Sequence, residues 1–262
     1  SADALDMLNG GVCDIVSISP GTFANDFPML CGLKQPMVVS NRAMAQNLAW
    51  ELYYDGYFDS EMAPYKVLNF WGTPACNFFF RDDVRTVEDF KGQKIRAADP
   101  IIQEFIETLG GTPVAMPGPD VYLALDRGTI DGATTGYEFA YSQKWYEATK
   151  YVSVSGMYGG CNVDLMNKDT WDSMPADVQL GVQRASAQYK YEFEYYFQDM
   201  DNAVSTLFAE KGCTVYEFSP DALAEMRESA QVVIDKWIAE QEAKGLPAGE
   251  MIDRIWEIID RY

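Results

Sequence analysis

The sequence predicts an α/β protein built from two lobes, and three observations lead to this class. Short apolar segments alternate with amphipathic segments over residues 1–155, which is typical of parallel strands connected by helices. A longer helical segment follows at 175–211, and at 1.5 Å per residue it would span roughly 50 Å, which is more than one lobe. The chain of 262 residues is 48% apolar, which is enough for a sizeable core. We therefore predict two lobes braced by one long helix.

The alternating elements occupy the first part of the chain. It begins in an amphipathic helix that contains Ala4, Leu5 and Leu8. Strands are predicted at 12–19, 65–71, 76–81, 93–98, 112–116, 130–133 and 151–155. Helices are predicted at 43–54, after a capping box at 86–89, and at 100–109, 119–127 and 137–146. In the clearest of them, at 100–109, Asp99 is the expected N-cap and Gly110 ends the helix.

The last part of the chain is mainly helical. Asp172 or Ser173 is expected to open the long helix, and Gly212 to end it. The aromatic run at 189–197 is interpreted as packing of this helix. A strand is predicted at 213–218, and helices at 220–244 and 250–262, of which the first starts after Ser219. Since no flexible linker separates these elements, we expect several chain crossings and a hinge between the lobes.

Charge and histidine content exclude several functions. The chain has 20 basic and 40 acidic residues, a net charge of −20 and a pI near 4.2. Nucleic acids and anionic membrane surfaces require clustered cations, so both are disfavoured as partners. The absence of histidine excludes Ser-His-Asp and Cys-His catalysis and histidine-containing zinc sites. An anionic ligand would have to be bound through one concentrated cationic point.

The remaining composition predicts no metal, no cofactor and no membrane span. Five cysteines are scattered without a C-x-x-C pair, and their odd number leaves at least one unpaired within the chain. They are interpreted as small buried apolar residues. The acidic positions of the last helix lack the glycine and the ligand spacing of a calcium loop, and the glycine pairs fit no phosphate loop. No apolar run is long enough to cross a bilayer.

Four segments carry a family resemblance. The chain reads Asp-Phe-Lys-Gly-Gln-Lys-Ile-Arg at 89–96 and, after one helix, Leu-Gly-Gly-Thr-Pro-Val-Ala-Met-Pro at 109–117. Asp-Val-Tyr-Leu-Ala-Leu-Asp-Arg-Gly-Thr-Ile-Asp-Gly follows at 120–132, and Asn-Lys-Asp-Thr-Trp-Asp-Ser-Met-Pro at 167–175. Their order and spacing closely resemble the substrate-binding proteins of tripartite ATP-independent periplasmic (TRAP) transporters, the DctP-like family. The match covers nearly the whole chain, and only the joint motif is specific.

The resemblance implies a periplasmic-binding-protein fold in which two lobes close on a small organic acid. Lobe I would comprise 1–73 and 162–201, and lobe II 74–161 and 202–262, with hinge strands between them. The protein would lie in the periplasm as a monomer and deliver its ligand to the membrane subunits of a TRAP permease, without catalysis or a cofactor. Relatives begin with a further strand–helix–strand unit, so we expect that this unit and a signal peptide precede the chain.

Arg96 is the main candidate for ligand binding. In the family, the arginine of the Lys-Ile-Arg strand pairs with the substrate carboxylate. An arginine stays charged, and its planar fork meets a carboxylate through two parallel hydrogen bonds. Ligands also favour the carboxyl ends of α/β strands. The alternative is an ordinary ion pair between Arg96 and Asp99 or Asp131.

Three further positions are compared with their counterparts in relatives. Thr135 occupies a position where relatives often carry Asn or Trp that faces the ligand; otherwise it would cap a helix. Asn77 lies where relatives often place a second cation, so a neutral amide there favours a ligand with one carboxylate; otherwise it is a turn or strand-edge residue. Gly118 replaces a common Phe, which would open the pocket to a bulkier acid; otherwise Pro-Gly-Pro simply forms a turn.

Four aromatic residues fall near loops that are expected to face the opposite lobe: Phe23, Trp71, Tyr137 and Tyr158. Each would serve either as core or as a platform for the ligand. Together with Gly118 they favour an aromatic or long organic acid as the ligand.

Two other functions stay open at this point. A carboxylate-based hydrolase would need an Asp/Glu pair across a cleft, for which Glu138 with Asp131 or Glu104 is conceivable. A ligand-sensing input domain would use the same two-lobed fold to report to a membrane kinase.

Overall fold

The computed structural model describes residues 3–154 and 156–261, and in its longest helix it describes every side chain except those of 191, 193–195, 197, 198, 200–202 and 204. The strands are β1 Ile15–Ile18, β2 Tyr65–Gly72, β3 Cys76–Phe80, β4 Lys94–Arg96, β5 Thr112–Val114, β6 Gly132–Gly136, β7 Tyr151–Ser153, β8 Cys161–Asn167 and β9 Thr214–Tyr216. The helices are α1 Ala4–Asn9, α2 Arg42–Tyr54, α3 Asp59–Met62, α4 Pro100–Thr108, α5 Val121–Asp126, α6 Tyr137–Ser142, α7 Lys168–Ser173, α8 Ala176–Glu210, α9 Pro220–Glu242 and α10 Ala248–Ile259.

A three-stranded sheet organises the first lobe, which we call the three-stranded lobe. Its order is β1–β8–β2, and β8 is antiparallel to both neighbours. Helices α1, α2 and α10 bury their apolar faces in its core. In α10 the buried residues Met251, Ile252, Ile255 and Ile258 follow helical spacing, which explains why this segment folds as an amphipathic helix.

A six-stranded sheet organises the second lobe, the six-stranded lobe. Its order is β5–β4–β6–β3–β7–β9, in which β5, β4 and β6 are parallel and β3 is antiparallel to β6 and β7. Side chains alternate across a strand, so Phe78 and Phe80 enter the core on one face and Phe79 the core on the other. This alternation explains how three consecutive phenylalanines are all fully buried.

Two short segments connect the sheets and pair with each other. Residues 73–75 lead from β2 to β3, and residues 156–160 lead back towards β8. The Cys76 amide donates to the Tyr158 carbonyl at 2.7 Å, and the Met157 amide donates to the Cys76 carbonyl at 2.9 Å. The two crossings therefore pair with each other through an isolated bridge, and their action as a hinge stays a prediction.

The predicted long helix is confirmed as α8, which has 35 residues. It contacts β2 in the three-stranded lobe and α6 and β9 in the six-stranded lobe. Within the predicted aromatic run, Tyr189 and Tyr196 are exposed rather than packed. Tyr191, Phe193, Tyr195 and Phe197 have side chains outside the described residues.

Several local predictions need correction. The sheets are not parallel as predicted: the three-stranded sheet is antiparallel, and the six-stranded sheet is mixed, because β3 runs against β6 and β7. Strand β8 and helix α7 were not predicted. The N-cap predicted at Asp172 or Ser173 is wrong, since both residues lie in α7 and α8 begins after Pro175. The predicted helix 137–146 stops at Ser142, because Lys144 has a left-handed backbone with φ of 57°.

The predicted division into lobes at 73/74, 161/162 and 201/202 stays a prediction. One of the two cores of the six-stranded lobe includes residues of α9 up to Val233. Ile234, Trp237 and the buried face of α10 lie instead in the core of the three-stranded lobe. We propose on this basis that the chain returns to the first lobe within α9.

Candidate ligand-binding site

Arg96 lies at the carboxyl end of β4, between the parallel strands β5 and β6. This is the end of an α/β sheet at which ligands bind. The side chain is only 6% exposed. Its Nε and Nη2 atoms donate to the Met116 carbonyl at 3.1 and 3.0 Å. Because Met116 follows β5, the neighbouring strand holds the guanidinium in place by its backbone.

No carboxylate of the described residues lies within 4.0 Å of the Arg96 guanidinium. The two acidic residues considered as partners have other contacts. Asp99 pairs with Lys34 at 3.3 Å, and Asp131 accepts a hydrogen bond from the Lys94 amide at 2.8 Å. Burial lowers the pKa of Arg96 from its ordinary value, which is the expected effect on a cation without a counter-ion.

Uncharged polar groups surround this cation. Burial raises the pKa of the Cys76 thiol to about 11, and burial also raises the pKa of Tyr158 well above its usual range. The buried Thr134 hydroxyl donates to the Tyr158 hydroxyl at 3.4 Å. Both titratable neighbours are therefore neutral at physiological pH, and Arg96 supplies the charge of this cluster.

Two ion pairs join the two lobes. Lys34 of the three-stranded lobe contacts Asp99 at the start of α4, and both side chains are half-buried. Arg42 at the start of α2 contacts Glu138 of α6 at 2.5 Å. The turn at Gly21 reaches the first pair, because a Cβ at that position would lie 2.6 Å from Lys34 Nζ and 3.6 Å from Asp99 Oδ2. The pairs Lys34–Asp99 and Arg42–Glu138 therefore bridge the two lobes.

Asn77 and Thr135 face each other across β3 and β6. Asn77 is buried, its Nδ2 donates to the Ala75 carbonyl at 3.1 Å, and its Oδ1 accepts from the Gly156 amide at 2.9 Å. Its amide therefore ties the two crossing segments together. Thr135 is half-buried within β6 and caps no helix, since the cap position of α6 is Gly136.

The four predicted aromatic residues are not gathered at one place. Tyr137 is buried, donates to the Ser153 carbonyl at 2.7 Å and packs edge-on against Phe79, so it belongs to the core. Trp71 donates to Asp164 Oδ1 at 3.1 Å at the end of β2. Phe23 packs against the core of the three-stranded lobe. Of the four, Tyr158 lies near enough to Arg96 to interact with its charge.

The space expected beside Gly118 is filled by another ring. A Cβ at Gly118 would lie 2.6 Å from Cζ of Phe139, which comes from α6. Phe139 in turn contacts Trp145 edge-on, with ring centroids 6.0 Å apart. Because Gly118 has no side chain, the Phe139 ring can occupy the space beside it.

The structure adds residues that the sequence analysis missed: Lys34, Cys76, Met116, Thr134 and Phe139. The sequence signal for Lys34 was its positive charge, because a chain with twice as many acidic as basic residues has few side chains that can bind an anion. The signal for Phe139 was the unusual glycine between two prolines at 118. Met116 acts through its carbonyl, for which the side chain gives no signal.

Other kinds of site find little support. The described part of the chain contains no cluster of three metal-ligating side chains. All five cysteines are free. Within the described residues no helix is both long and apolar enough to cross a bilayer.

Comparison with known proteins was made for sequence and for structure. The family model DctP, described as bacterial extracellular solute-binding protein, family 7, matches residues 1–241. The chain is 34% identical over 133 residues to the C4-dicarboxylate-binding periplasmic protein DctP of Rhodobacter capsulatus, covering 47% of this chain and 40% of that protein. It is 26% identical over 220 residues to the ectoine/5-hydroxyectoine-binding periplasmic protein UehA of Ruegeria pomeroyi, covering 80% and 64%. The chain thus spans less than two thirds of these relatives.

Two solved structures share the fold over almost the whole chain. One is a TRAP solute-binding protein from a marine metagenome, specific for aromatic acids and bound to 3-hydroxybenzoate. It is 26% identical, with a TM-score of 0.84, and the match covers 100% of this chain and 83% of that one. The other is a TRAP solute-binding protein from Rhodoferax ferrireducens with copurified benzoate, with the same identity and TM-score and coverage of 99% and 83%.

Proposed function

Because the chain belongs to the DctP family of bacterial extracellular solute-binding proteins, we propose that it is the solute receptor of a TRAP transporter. It binds a small organic acid between its lobes in the periplasm and delivers the acid to the membrane subunits of the permease. The family consists of transport proteins, and this protein binds its ligand without chemical conversion.

The observation that carries this proposal is the buried charge of Arg96, which no carboxylate of the described residues neutralises. A guanidinium has five N–H donors. The Met116 carbonyl takes two of them, those on Nε and Nη2, so three remain for a ligand. A carboxylate can accept two of these in parallel and supplies the missing counter-ion. Burial strengthens that interaction, since water does not screen it.

We infer that the preferred ligand is an aromatic acid with one carboxylate. Lys34, the second cation near the cleft, is already neutralised by Asp99. The neighbours Tyr158, Cys76 and Thr134 are uncharged and accommodate a hydroxylated or apolar body rather than a second anion. Phe139 adds an aromatic face beside Gly118. The two relatives with 3-hydroxybenzoate and benzoate support the same class.

The carboxylates considered for the hydrolase alternative are engaged in other contacts. Glu138 is bound to Arg42, Glu104 of α4 to Lys236 of α9, and Asp131 to the Lys94 amide. Each of the three candidates therefore serves a different local contact. Recovery of the bound acid unchanged after long incubation tests the absence of catalysis. A sensor role would use the same ligand site, and a missing permease partner is what would favour it.

Calorimetric titration tests the ligand site directly. Benzoate and 3-hydroxybenzoate should bind the wild-type protein more tightly than succinate does. Arg96→Ala should weaken benzoate binding about 100-fold, the usual effect of truncating one partner of a buried charge pair. Arg96→Lys should retain part of the affinity, because it keeps the charge but loses the fork.

The matched control is Arg227→Ala, which removes an exposed arginine from α9. It should leave the affinity unchanged. Equal benzoate affinities for wild type and Arg96→Ala would refute the carboxylate site at Arg96. A preference for succinate would refute the aromatic class and favour a dicarboxylate, with Lys34 released from Asp99.

A further inference from the structure

A second cavity of about 480 Å³ lies on the three-stranded lobe between α2, β2 and α8. Its principal lining residues are Trp50, Tyr53, Tyr54, Lys66, Asn69 and Lys190. None of them contacts Arg96 or takes part in either interlobe ion pair. We propose that this cavity is a second binding site, which takes a small anion carrying a planar apolar ring.

Asn69 supplies the first argument. It is 2% exposed, and neither its Nδ2 nor its Oδ1 atom has a hydrogen-bond partner among the described residues. A buried amide without partners is costly and is rare in native proteins. The pairing of β2 with β8 shifts register between Val67 and Asn69, and such bulges re-aim side chains next to functional sites. Because Asn69 lines the cavity, a ligand towards which its amide turns would supply the missing partners.

Trp50 supplies an aromatic wall and a donor. Its ring stacks on Tyr54 with centroids 5.6 Å apart and meets Phe70 edge-on at 5.0 Å, so its orientation is fixed by packing. Its indole Nε1 is buried and also has no partner in the described part of the chain. An indole nitrogen only donates hydrogen bonds, so it calls for an acceptor on the ligand.

Two lysines supply the charge. Lys66 and Lys190 line the cavity, both are half-buried, and no carboxylate of a described side chain lies within 4.0 Å of either. Lys190 Nζ lies 5.9 Å from the centre of the Trp50 ring, so charge and aromatic surface adjoin. In a chain with a net charge of −20, two cations that no described carboxylate neutralises at one cavity favour an anion.

The volume limits the ligand. Small-molecule pockets typically measure about 300–1,000 Å³, so this cavity suits a molecule of one or two rings. Its two ammonium groups and the indole N–H can only donate hydrogen bonds, whereas its other polar side chains can donate or accept: Tyr53, Tyr54, Asn69, Gln183 and Ser186. The chemistry therefore favours an aromatic carboxylate over a neutral aromatic or an aliphatic cation.

The test uses 2-naphthoate as the probe and an Arg96→Ala background, which removes the cleft site. Binding is measured by calorimetry and by quenching of tryptophan fluorescence. We expect the Arg96→Ala protein to bind one molecule of 2-naphthoate. Adding Lys66→Gln and Lys190→Gln together to this background should weaken that binding about tenfold. The neutral analogue 2-naphthylmethanol should also bind about tenfold more weakly than 2-naphthoate.

The matched control adds Lys91→Gln and Lys236→Gln to the Arg96→Ala background. Both lysines are exposed and already have acidic partners, so the affinity for 2-naphthoate should not change. Asn69→Leu is a second variant that should weaken binding by removing the polar partners. The proposal is overturned when Arg96→Ala shows no 2-naphthoate binding, or when the cavity and control substitutions have equal effects. It does not rest on the proposed function, because failure of the cleft site would leave the effect of the two cavity lysines intact.

Discussion

Arg42 and Arg96 are almost equally inaccessible to solvent, at 5% and 6% exposure, but their surroundings are opposite. Arg42 donates to the Glu138 carboxylate at 2.5 Å and to the Gly72 carbonyl at 3.4 Å. Arg96 donates to the Met116 carbonyl, which carries no net charge. One guanidinium therefore has its counter-ion within the protein, whereas the other lacks one among the described residues.

This difference separates a structural charge from a binding charge. A buried pair holds parts of the fold together, and breaking it leaves an uncompensated charge. A buried charge without a partner weakens the fold until a ligand neutralises it. Burial alone would have assigned both arginines the same role, so the decisive observation is the counter-ion. Glu61 offers an acidic counterpart of Arg96 on which the same reasoning can be tested.

The largest effect is expected at Glu61. This buried carboxylate accepts hydrogen bonds from the Met29 and Leu30 amides, and no described cation pairs with it. Burial raises its pKa from 4.5 to about 7, although the two amide bonds act in the opposite direction. The unfolded chain then releases its proton before the folded protein does. Rising pH between these two values therefore favours unfolding, by about 3 kcal/mol in total.

Glu61→Gln should remove this dependence. Urea unfolding of both proteins at several pH values from 4 to 8 should show the wild type losing about 3 kcal/mol relative to the variant as the pH rises through that window. Below the unfolded pKa both states are protonated, so the difference should level off there. A difference between the two proteins that does not vary with pH would contradict the assignment of Glu61 as an unpaired buried acid.

The next effect distinguishes the two arginines in the ligand-free protein. Arg42→Met should lower the free energy of unfolding by about 2 kcal/mol, less than for a fully buried pair because Glu138 is 24% exposed. Arg96→Met should change it by less than about 1 kcal/mol, since the loss of two hydrogen bonds is offset by removal of an unpaired charge. Denaturant unfolding of each variant measures both values.

Arg227→Met serves as the exposed control for this pair and should have almost no effect. Equal destabilisation by Arg42→Met and Arg96→Met would mean that the counter-ion does not distinguish the two sites.

The smallest effect is expected at the half-buried pair of Lys34 and Asp99. Asp99→Asn removes the ion pair but keeps the N-cap of α4, in which the Asp99 side chain accepts from the Ile101 amide. Its cost should stay below about 0.5 kcal/mol, as is usual for partly exposed pairs. Asp99→Ala also removes the cap and should cost about 1 kcal/mol more. Thermal unfolding of the two variants would show equal losses if the cap were unimportant.

Much of the fold was predictable because local signals agreed. In α4, Asp99 caps the helix, Ile102, Phe105 and Ile106 are buried as the periodicity required, and Gly110 has a φ of 87°. Strand β8 was missed although Val163 and Leu165 alternate with polar neighbours, because Asp164 interrupts the apolar run. Strand direction was not predictable from periodicity, which is the same for parallel and antiparallel pairs.

The site was less predictable than the fold. The Lys-Ile-Arg motif and the ability of a guanidinium to bind a carboxylate identified Arg96 as a candidate. That no described carboxylate pairs with it is visible only in the folded chain. Lys34 and Asp99 are 65 residues apart, and nothing local indicates that they meet. The Phe139 ring fills the space beside Gly118, where relatives commonly carry a Phe. This contact likewise depends on packing between separate elements.

Helix α8 is a single continuous rod held by both lobes. It contacts β2 at one lobe and α6 and β9 at the other. The hinge strands permit rotation, but each rotation must bend the rod or slide it along β2. Bending lengthens the N–H···O=C ladder on the convex side, which resists the motion. A helix anchored in both lobes therefore opposes their relative rotation, whatever ligand lies between them.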